Sequence, residues 1–163
     1  MWTDETDTMK LSDEEIKAIE HEMSLYEDPQ AACIDALKIV QEQRGWVSDE
    51  AMQAAADVVG VSTTQMEAVA TFYNLIFRQP VGRNVIMVCD SISCWLTGYE
   101  EISAYIKQKL GIEFGQTTAD DRFTLLPIVC LGDCDNGPSM RVNTDYHGKL
   151  TPERVDTILA EYA

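Results

Sequence analysis

Four of the five cysteines in this sequence fall into two closely spaced pairs. Cys89 and Cys94 have four residues between them, and Cys130 and Cys134 have three. Clustered cysteines in a chain without a secretion signal are more typical of metal ligation or redox chemistry than of disulfides. The fifth, Cys33, lies on the apolar face of a predicted helix, and we expect it to be a small core residue.

Both pairs come directly after a predicted strand. Residues 85–88 are a short apolar run before Cys89, and residues 123–129 are a second run before Cys130. Pro127 in the second run indicates an edge strand or an irregular strand end. If the two strands are neighbours, their following loops face each other at the edge where open α/β sheets bind ligands.

The remaining elements of the second half complete an α/β pattern. Residues 98–110 predict an amphipathic helix, residues 139–143 and 148–150 a hairpin, and Thr151 the cap of a final helix. The predicted order from residue 83 is strand, helix, strand, hairpin, helix.

The first half of the sequence predicts helices only. Ser12 with Glu15 and Ser62 with Gln65 are capping boxes that begin two of them. Pro29 is expected to end the first helix and can open the next from Asp28. Glycines end the next two helices, and the last runs to about Ile76. A break at residues 79–82 predicts two domains, a helical one over 1–82 and a second over 83–163, with residues 1–10 disordered.

Two cysteine loops at one sheet edge can hold a [2Fe–2S] cluster, because each of its two irons needs two protein thiolates. Gly132 and Gly137 are expected to adopt backbone angles that other residues resist. A structural zinc ion on all four cysteines is an alternative that the spacing leaves open. A thiol–disulfide enzyme is less well supported, because no Cys-x-x-Cys motif is present.

Charge and composition exclude several other classes. The formal net charge of −16 argues against nucleic acid or an anionic membrane surface as partner. No apolar run is long enough for a membrane span, and the acidic start fits neither a secretory signal nor a mitochondrial presequence, so we expect a cytoplasmic protein. Neither a dinucleotide fingerprint nor a Walker loop is present, and no Ser-His-Asp or Cys-His set is visible.

Two longer motifs carry a family resemblance. The run CLGDCDNGP at residues 130–138, together with the Cys89–Cys94 spacing, resembles the thioredoxin-like [2Fe–2S] ferredoxins. The run EAVATFY at residues 67–73 resembles the helical segment of the 24-kDa-type subunits of respiratory complex I. Asp133 departs slightly from the family pattern, at a position that is not a ligand.

The resemblance implies an α+β protein in which a helical bundle precedes a thioredoxin-like domain. It implies one [2Fe–2S] cluster on Cys89, Cys94, Cys130 and Cys134, one pair per iron, with Pro138 near the cis proline of such folds. FMN and NADH would lie on a larger partner subunit, with the large iron–sulfur subunit also in contact and no catalytic residue on this chain. The chain would belong to the peripheral arm on the cytoplasmic side of an inner-membrane complex, without entering the membrane. The corresponding subunits of NAD-linked hydrogenases or formate dehydrogenases stay open as alternatives.

Overall fold

The computed structural model describes residues 10–162 and contains two compact units. The first is helical and ends at Pro80, and the second is built on a β-sheet and begins at Val81. Residues 1–9 lie outside the described part of the chain, and with them nearly all of the segment predicted to be disordered. Within residues 10–162, no helix is both long enough and apolar enough to span a membrane.

The described residues of the helical unit form four α-helices and one 3₁₀ helix. Gly45 and Gly60 follow the second and third α-helices, as predicted. The first helix stops at Met23, so Pro29 does not mark its end. Pro29 does open the next helix from Asp28, as predicted, but that helix begins as a 3₁₀ helix. The elements are α1 (Asp13–Met23), the 3₁₀ helix (Pro29–Ala32), α2 (Cys33–Arg44), α3 (Asp49–Val59) and α4 (Thr63–Phe72).

Both predicted capping boxes are confirmed. Ser12 Oγ accepts a hydrogen bond from the N–H of Glu15 at 3.1 Å, and the Glu15 carboxylate accepts one from the N–H of Ser12 at 2.7 Å. Ser62 and Gln65 make the same reciprocal pair at the start of α4. Each box satisfies N–H groups that have no partner inside the helix, which fixes where the helix begins.

The last helix of this unit is shorter than predicted and ends at Phe72 instead of near Ile76. Beyond it, backbone groups of the chain form hydrogen bonds with a side chain of α2. Gln41 donates to the carbonyl of Leu75 at 2.8 Å and accepts from the N–H of Phe77 at 2.6 Å. These backbone groups are satisfied without a helix, because a distant side chain supplies what the next helical turn would have supplied.

The core of the helical unit is apolar and includes Cys33. This cysteine is only 6% exposed, and burial raises the pKa of its thiol. The expectation that it is a core residue is confirmed. The largest fully buried side chains beside it are those of Ile19, Leu37, Val40, Val47 and Met66.

A buried carboxylate is paired inside this unit. Glu15 is 3% exposed, and Arg44 donates to both of its oxygens, from Nε at 2.9 Å and from Nη2 at 2.8 Å. Burial acts to raise the pKa of Glu15, but the hydrogen bonds from Arg44 and Ser12 outweigh it and hold that pKa below its ordinary value. The pair therefore joins the first turn of α1 to the last turn of α2.

The second unit contains a five-stranded mixed sheet in the order β2-β3-β1-β4-β5. β1 and β3 pair in parallel, and the other neighbours are antiparallel. The elements are β1 (Asn84–Cys89), α5 (Ile92–Leu96), α6 (Tyr99–Leu110), β2 (Gln116–Thr117), β3 (Phe123–Ile128), a 3₁₀ helix (Cys134–Asn136), β4 (Met140–Val142), β5 (Asp145–His147) and α7 (Pro152–Glu161).

Most of this unit agrees with the prediction, and four elements differ. Three of them, α5, β2 and the 3₁₀ helix, are absent from the predicted order. The second hairpin strand, β5, precedes the predicted residues 148–150. α5 has five residues and β2 has two, too few to show a hydrophobic period.

Pro127 lies in β3, which is an inner strand and not an edge strand. Two residues earlier, Leu125 turns its carbonyl toward β2 and accepts a hydrogen bond from Gly115 N–H at 2.7 Å. The backbone N–H and C=O groups of successive strand residues point to alternate sides, so the backbone of Pro127 faces β2, as that of Leu125 does. On this side β2 pairs only with Thr124 and Leu125. The missing N–H therefore removes no ladder bond, and the pairing of β3 with β1 continues in register to Ile128, so the strand end is not irregular.

Alternate residues of the central strands form one core with α6 and α7. Ile86 and Val88 of β1 and Phe123 and Leu125 of β3 are nearly or fully buried in it. The two-residue period places these side chains on the same face of the sheet. The other members include Ile102, Ile106, Met140, Val142, Val155, Ile158 and Leu159.

We expect Arg44→Met to lower the free energy of unfolding by about 3 kcal/mol, because it leaves the Glu15 carboxylate buried without its partner. The matched control is Lys38→Met, which removes an exposed ion pair with Asp35 (3.4 Å) and is expected to change stability by less than about 0.5 kcal/mol. Urea unfolding at neutral pH measures both, and equal losses would contradict the role given to the buried pair.

The same pair predicts a pH dependence. The folded-state pKa of Glu15 lies below its unfolded value, so its stabilisation is complete above the unfolded pKa and is lost as the pH falls through the folded one. In the acid range, the free energy of unfolding of Glu15→Gln should therefore change less with pH than that of the wild type. Parallel curves for the two proteins would contradict this.

Candidate functional site

The two cysteine loops leave the same edge of the sheet because β1 and β3 are parallel neighbours. Cys89, the last residue of β1, pairs in register with Ile128, the last residue of β3. Asp90 N–H donates to the carbonyl of Ile128 at 3.0 Å, which continues the pairing into the loops. The strand adjacency on which the predicted site depends is therefore confirmed.

The first pair of cysteines is buried. Cys89 is 2% exposed and Cys94 is 1% exposed, and the two thiols are close enough for Cys94 to raise the pKa of Cys89. Cys94 lies on the inner side of α5, whose first turn is closed by the N–H of Trp95 donating to the carbonyl of Ser91 at 2.8 Å. α5 is thus the element that turns the second cysteine of the pair back toward the first.

Both loops contribute backbone groups to the sulfur of Cys89. Burial is the largest influence and raises the pKa of the Cys89 thiol above its ordinary value, and the neighbouring Cys94 thiol adds to the rise. The N–H groups of Ser91 and Leu131 hydrogen-bond to this sulfur and act in the opposite direction. Such amides stabilise the negative charge of a thiolate that has released its proton and binds a metal ion.

The second pair of cysteines is exposed. The sulfur of Cys130 accepts a hydrogen bond from the N–H of Gly132 at 3.3 Å, so this loop also curls around its own thiol. Cys134 begins the short 3₁₀ helix. A hydrogen bond from Asn136 Nδ2 to Asp133 Oδ1 at 2.6 Å stabilises this helix.

The second loop packs closely against α5 at Gly137. A Cβ at this position would lie 2.6 Å from Thr97 Oγ1 and 3.5 Å from Cys94 Cα. Gly137 has an ordinary φ of −63°, so the expectation of an unusual backbone angle is wrong there, and lack of space is the reason for glycine. At Gly132, with φ +77°, the expectation is confirmed. The next peptide bond, Gly137–Pro138, is cis.

Gly148 and Ser139 are site residues that the sequence did not indicate. A Cβ on Gly148 would lie 2.5 Å from Asn136 Cβ and 2.8 Å from Asn136 O, so the chain after β5 presses on the Cys134 loop. Ser139 is buried beside Cys94, and their side chains are 3.5 Å apart. No sequence signal marks either residue, because both act through contacts across the fold.

The four cysteines do not form a single mononuclear site in this structure. Across residues 10–162, no three His, Cys, Asp or Glu side chains converge on one metal-ion position. The structure brings Cys89 and Cys94 together, holds the loops of Cys130 and Cys134 against them through Leu131 and Gly137, and leaves the latter two thiols accessible.

A mixed sheet with two cysteine loops at the ends of adjacent parallel strands defines a thioredoxin-like protein built to hold a metal or redox centre. The chain belongs to the thioredoxin-like [2Fe–2S] ferredoxin family, whose model matches residues 19–163.

Two known proteins are similar in sequence to this chain over nearly its whole length. The E subunit of the NADH-quinone oxidoreductase of Escherichia coli is 56% identical over 158 residues, which are 97% of this chain and 95% of that protein. The E subunit of the Pseudomonas aeruginosa oxidoreductase is 53% identical over the same shares. A solved NAD⁺-reducing [NiFe]-hydrogenase has a TM-score of 0.66 at 22% identity over 77% of this chain, and this chain spans only 22% of that one, so the likeness is one of fold.

Family membership makes one [2Fe–2S] cluster the cofactor of this chain, in place of the zinc ion that the spacing left open. The residues present fit such a group. The donor set is four thiols in two pairs, as two tetrahedral irons require. Amides of Ser91, Leu131 and Gly132 already donate to two of the sulfurs, which suits a cluster whose charge lies partly on sulfur.

We expect Gly148→Ala to lose most of its bound iron, because the added methyl group displaces the Asn136 backbone and with it Cys134. The control is Gly111→Ala, whose φ of +68° costs about 1–2 kcal/mol but whose added methyl meets open space. Iron and sulfide assays on both purified proteins test this. Full iron content in Gly148→Ala would contradict the contact's role in holding the loop.

Proposed function

We propose that this chain is the electron-transfer subunit of the NADH dehydrogenase module of a bacterial respiratory NADH–quinone oxidoreductase. Its [2Fe–2S] cluster is held by Cys89 and Cys94 from one loop and by Cys130 and Cys134 from the other. The identity to the E subunits of two such oxidoreductases over almost the whole chain carries this proposal.

The unequal burial of the four thiols determines where the bound cofactor can exchange electrons. A bound [2Fe–2S] cluster accepts and releases one electron. Cys89 and Cys94 anchor one side of the site in the protein interior, while the exposed Cys130 and Cys134 leave the other side near the surface. An electron can therefore enter or leave at this surface, while the buried thiols and loop amides keep the site rigid.

Hydride chemistry takes place on another subunit in this proposal. This sequence has no dinucleotide fingerprint, so NADH and FMN bind to a partner and the cluster exchanges electrons with that flavin. The large iron–sulfur subunit is a second partner. The chain lies in the peripheral arm of the complex on the cytoplasmic side, in agreement with the lack of a membrane-spanning helix among the described residues.

An apolar rim beside the cysteines is the surface we assign to the flavin-binding partner. It consists of Ile92, Trp95 and Leu96 on the outer side of α5 and Val129 next to Cys130, each at least half exposed. Exposed apolar clusters of this kind mark interaction sites. A partner seated on the rim would exclude water from the cluster and bring the flavin to its exposed side.

The second candidate is the equivalent subunit of an NAD-linked hydrogenase or formate dehydrogenase. The hydrogenase chain of TM-score 0.66 favours it, but the resemblance is limited to the fold. The oxidoreductase relatives are more than twice as identical and match over nearly their own full length, so they support the first proposal.

Serine substitutions test the ligand set one cysteine at a time. Each of Cys89→Ser, Cys94→Ser, Cys130→Ser and Cys134→Ser should lose the cluster or change its EPR spectrum, because a serine oxygen replaces a thiolate on iron. The control, Cys33→Ala, removes a buried cysteine from the helical core and should keep about two irons and two sulfides. A site variant with the wild-type spectrum and iron content would remove that cysteine from the set.

The apolar rim is tested by partner binding. Trp95→Ser and Leu96→Gln should each weaken binding to the NADH- and flavin-binding subunit by about 2 kcal/mol, or roughly 30-fold in Kd, as expected for a central contact. The control, Tyr146→Ser, changes a similarly exposed aromatic residue on β5. Titration calorimetry with the partner subunit measures all three, and unchanged affinity in both rim variants would contradict the assignment.

A further inference from the structure

Ser139 has a hydroxyl group that is buried against a sulfur atom. The residue is 2% exposed, and its Oγ lies 3.5 Å from Cys94 Sγ. Within the part of the chain that the structure describes, this sulfur is the partner of the hydroxyl. A buried hydroxyl without a partner is costly, so the contact is the one that satisfies Ser139.

The backbone around Ser139 holds this hydroxyl in place. The carbonyl of Ser139 accepts a hydrogen bond from the N–H of Cys89 at 3.1 Å, and the carbonyl of Pro138 accepts one from Leu150 at 3.1 Å. The next residue, Met140, pairs with Val88 in the sheet. Ser139 is therefore fixed between the end of β1 and the start of β4.

The direction of the hydrogen bond depends on the state of the sulfur. Between a free thiol and a hydroxyl, either atom can donate. A sulfur bound to iron has no proton and can only accept, whereas the serine hydroxyl can rotate to donate. Once Cys94 is an iron ligand, Ser139 is thus the donor.

We propose that the Ser139 hydroxyl donates a hydrogen bond to the ligand sulfur of Cys94 and thereby raises the reduction potential of the cluster. The inference rests on the proposed ligation by Cys94. Reduction adds negative charge, part of which lies on the ligand sulfurs, so a donor stabilises the reduced cluster more than the oxidised one. The low exposure of both residues strengthens the effect.

Ser139 differs from the other donors around the cysteines. Ser91, Leu131 and Gly132 use backbone N–H groups, which are present whatever side chain occupies the position. The Ser139 donor belongs to the side chain, so a single substitution removes it. Ser139 is therefore a positioning residue through which the sequence adjusts the potential without changing the four ligands.

The test is a redox titration of the full-length, cluster-loaded protein followed by EPR. Ser139→Ala and Ser139→Gly both remove the hydroxyl, and each should show a lower midpoint potential than the wild type with iron and sulfide unchanged. Ser139→Thr keeps a hydroxyl and should restore the midpoint toward the wild-type value. The matched control, Ser103→Ala, removes another buried hydroxyl that donates to the carbonyl of Glu100 (3.1 Å) and should leave the midpoint unchanged.

Resonance Raman spectroscopy in D₂O gives a second measurement, and its result does not depend on the stability of the variant. At least one iron–cysteine stretching band of the wild type should shift on deuteration, and part of that shift should be absent in Ser139→Ala. An unchanged midpoint in a loaded Ser139→Ala or Ser139→Gly protein would overturn the inference, as would a wild-type spectrum insensitive to D₂O. Failure of the underlying ligation is seen separately, as a Cys94→Ser protein with the wild-type EPR spectrum.

Discussion

The parallel pairing of β1 with β3 is the constraint on which the site depends. It fixes Cys89 opposite Ile128 and makes the two cysteine loops start at the same edge of the sheet. Every later feature uses this placement, including the amide of Leu131 on the Cys89 sulfur and the approach of Gly137 to α5. If the register slipped by one residue, Cys89 would turn to the opposite face of the sheet and away from Cys94.

Close packing then converts two neighbouring loops into a defined site. A Cβ at Gly148 would clash with Asn136, including its carbonyl oxygen, and a Cβ at Gly137 would clash with the hydroxyl group of Thr97. The contacts join α5, the Cys134 loop and the segment after β5 into one assembly. The result has unequal halves, with Cys89 and Cys94 in the interior and Cys130 and Cys134 at the surface. That asymmetry suits a redox centre that must be both held firmly and reached by a partner.

The elements with a local signal were predictable from the sequence, and those without one were not. Ser12 and Ser62 fix helix starts through bonds to residues three positions away, and β1 is a long enough apolar run to be recognised. The early end of α4 depends on Gln41, more than thirty residues distant in the chain. The cysteine spacing indicated the metal site, whereas the part played by Ser139 depends on the pairing of β4 with β1.

The presence of one [2Fe–2S] cluster on this chain is best tested on anaerobically purified wild-type protein. Iron, zinc and sulfide assays are combined with an absorbance spectrum and with EPR after reduction by dithionite. We expect about two irons and two sulfides per chain and a rhombic S = 1/2 signal in the reduced protein. A colourless protein with one zinc ion and no sulfide would contradict this expectation.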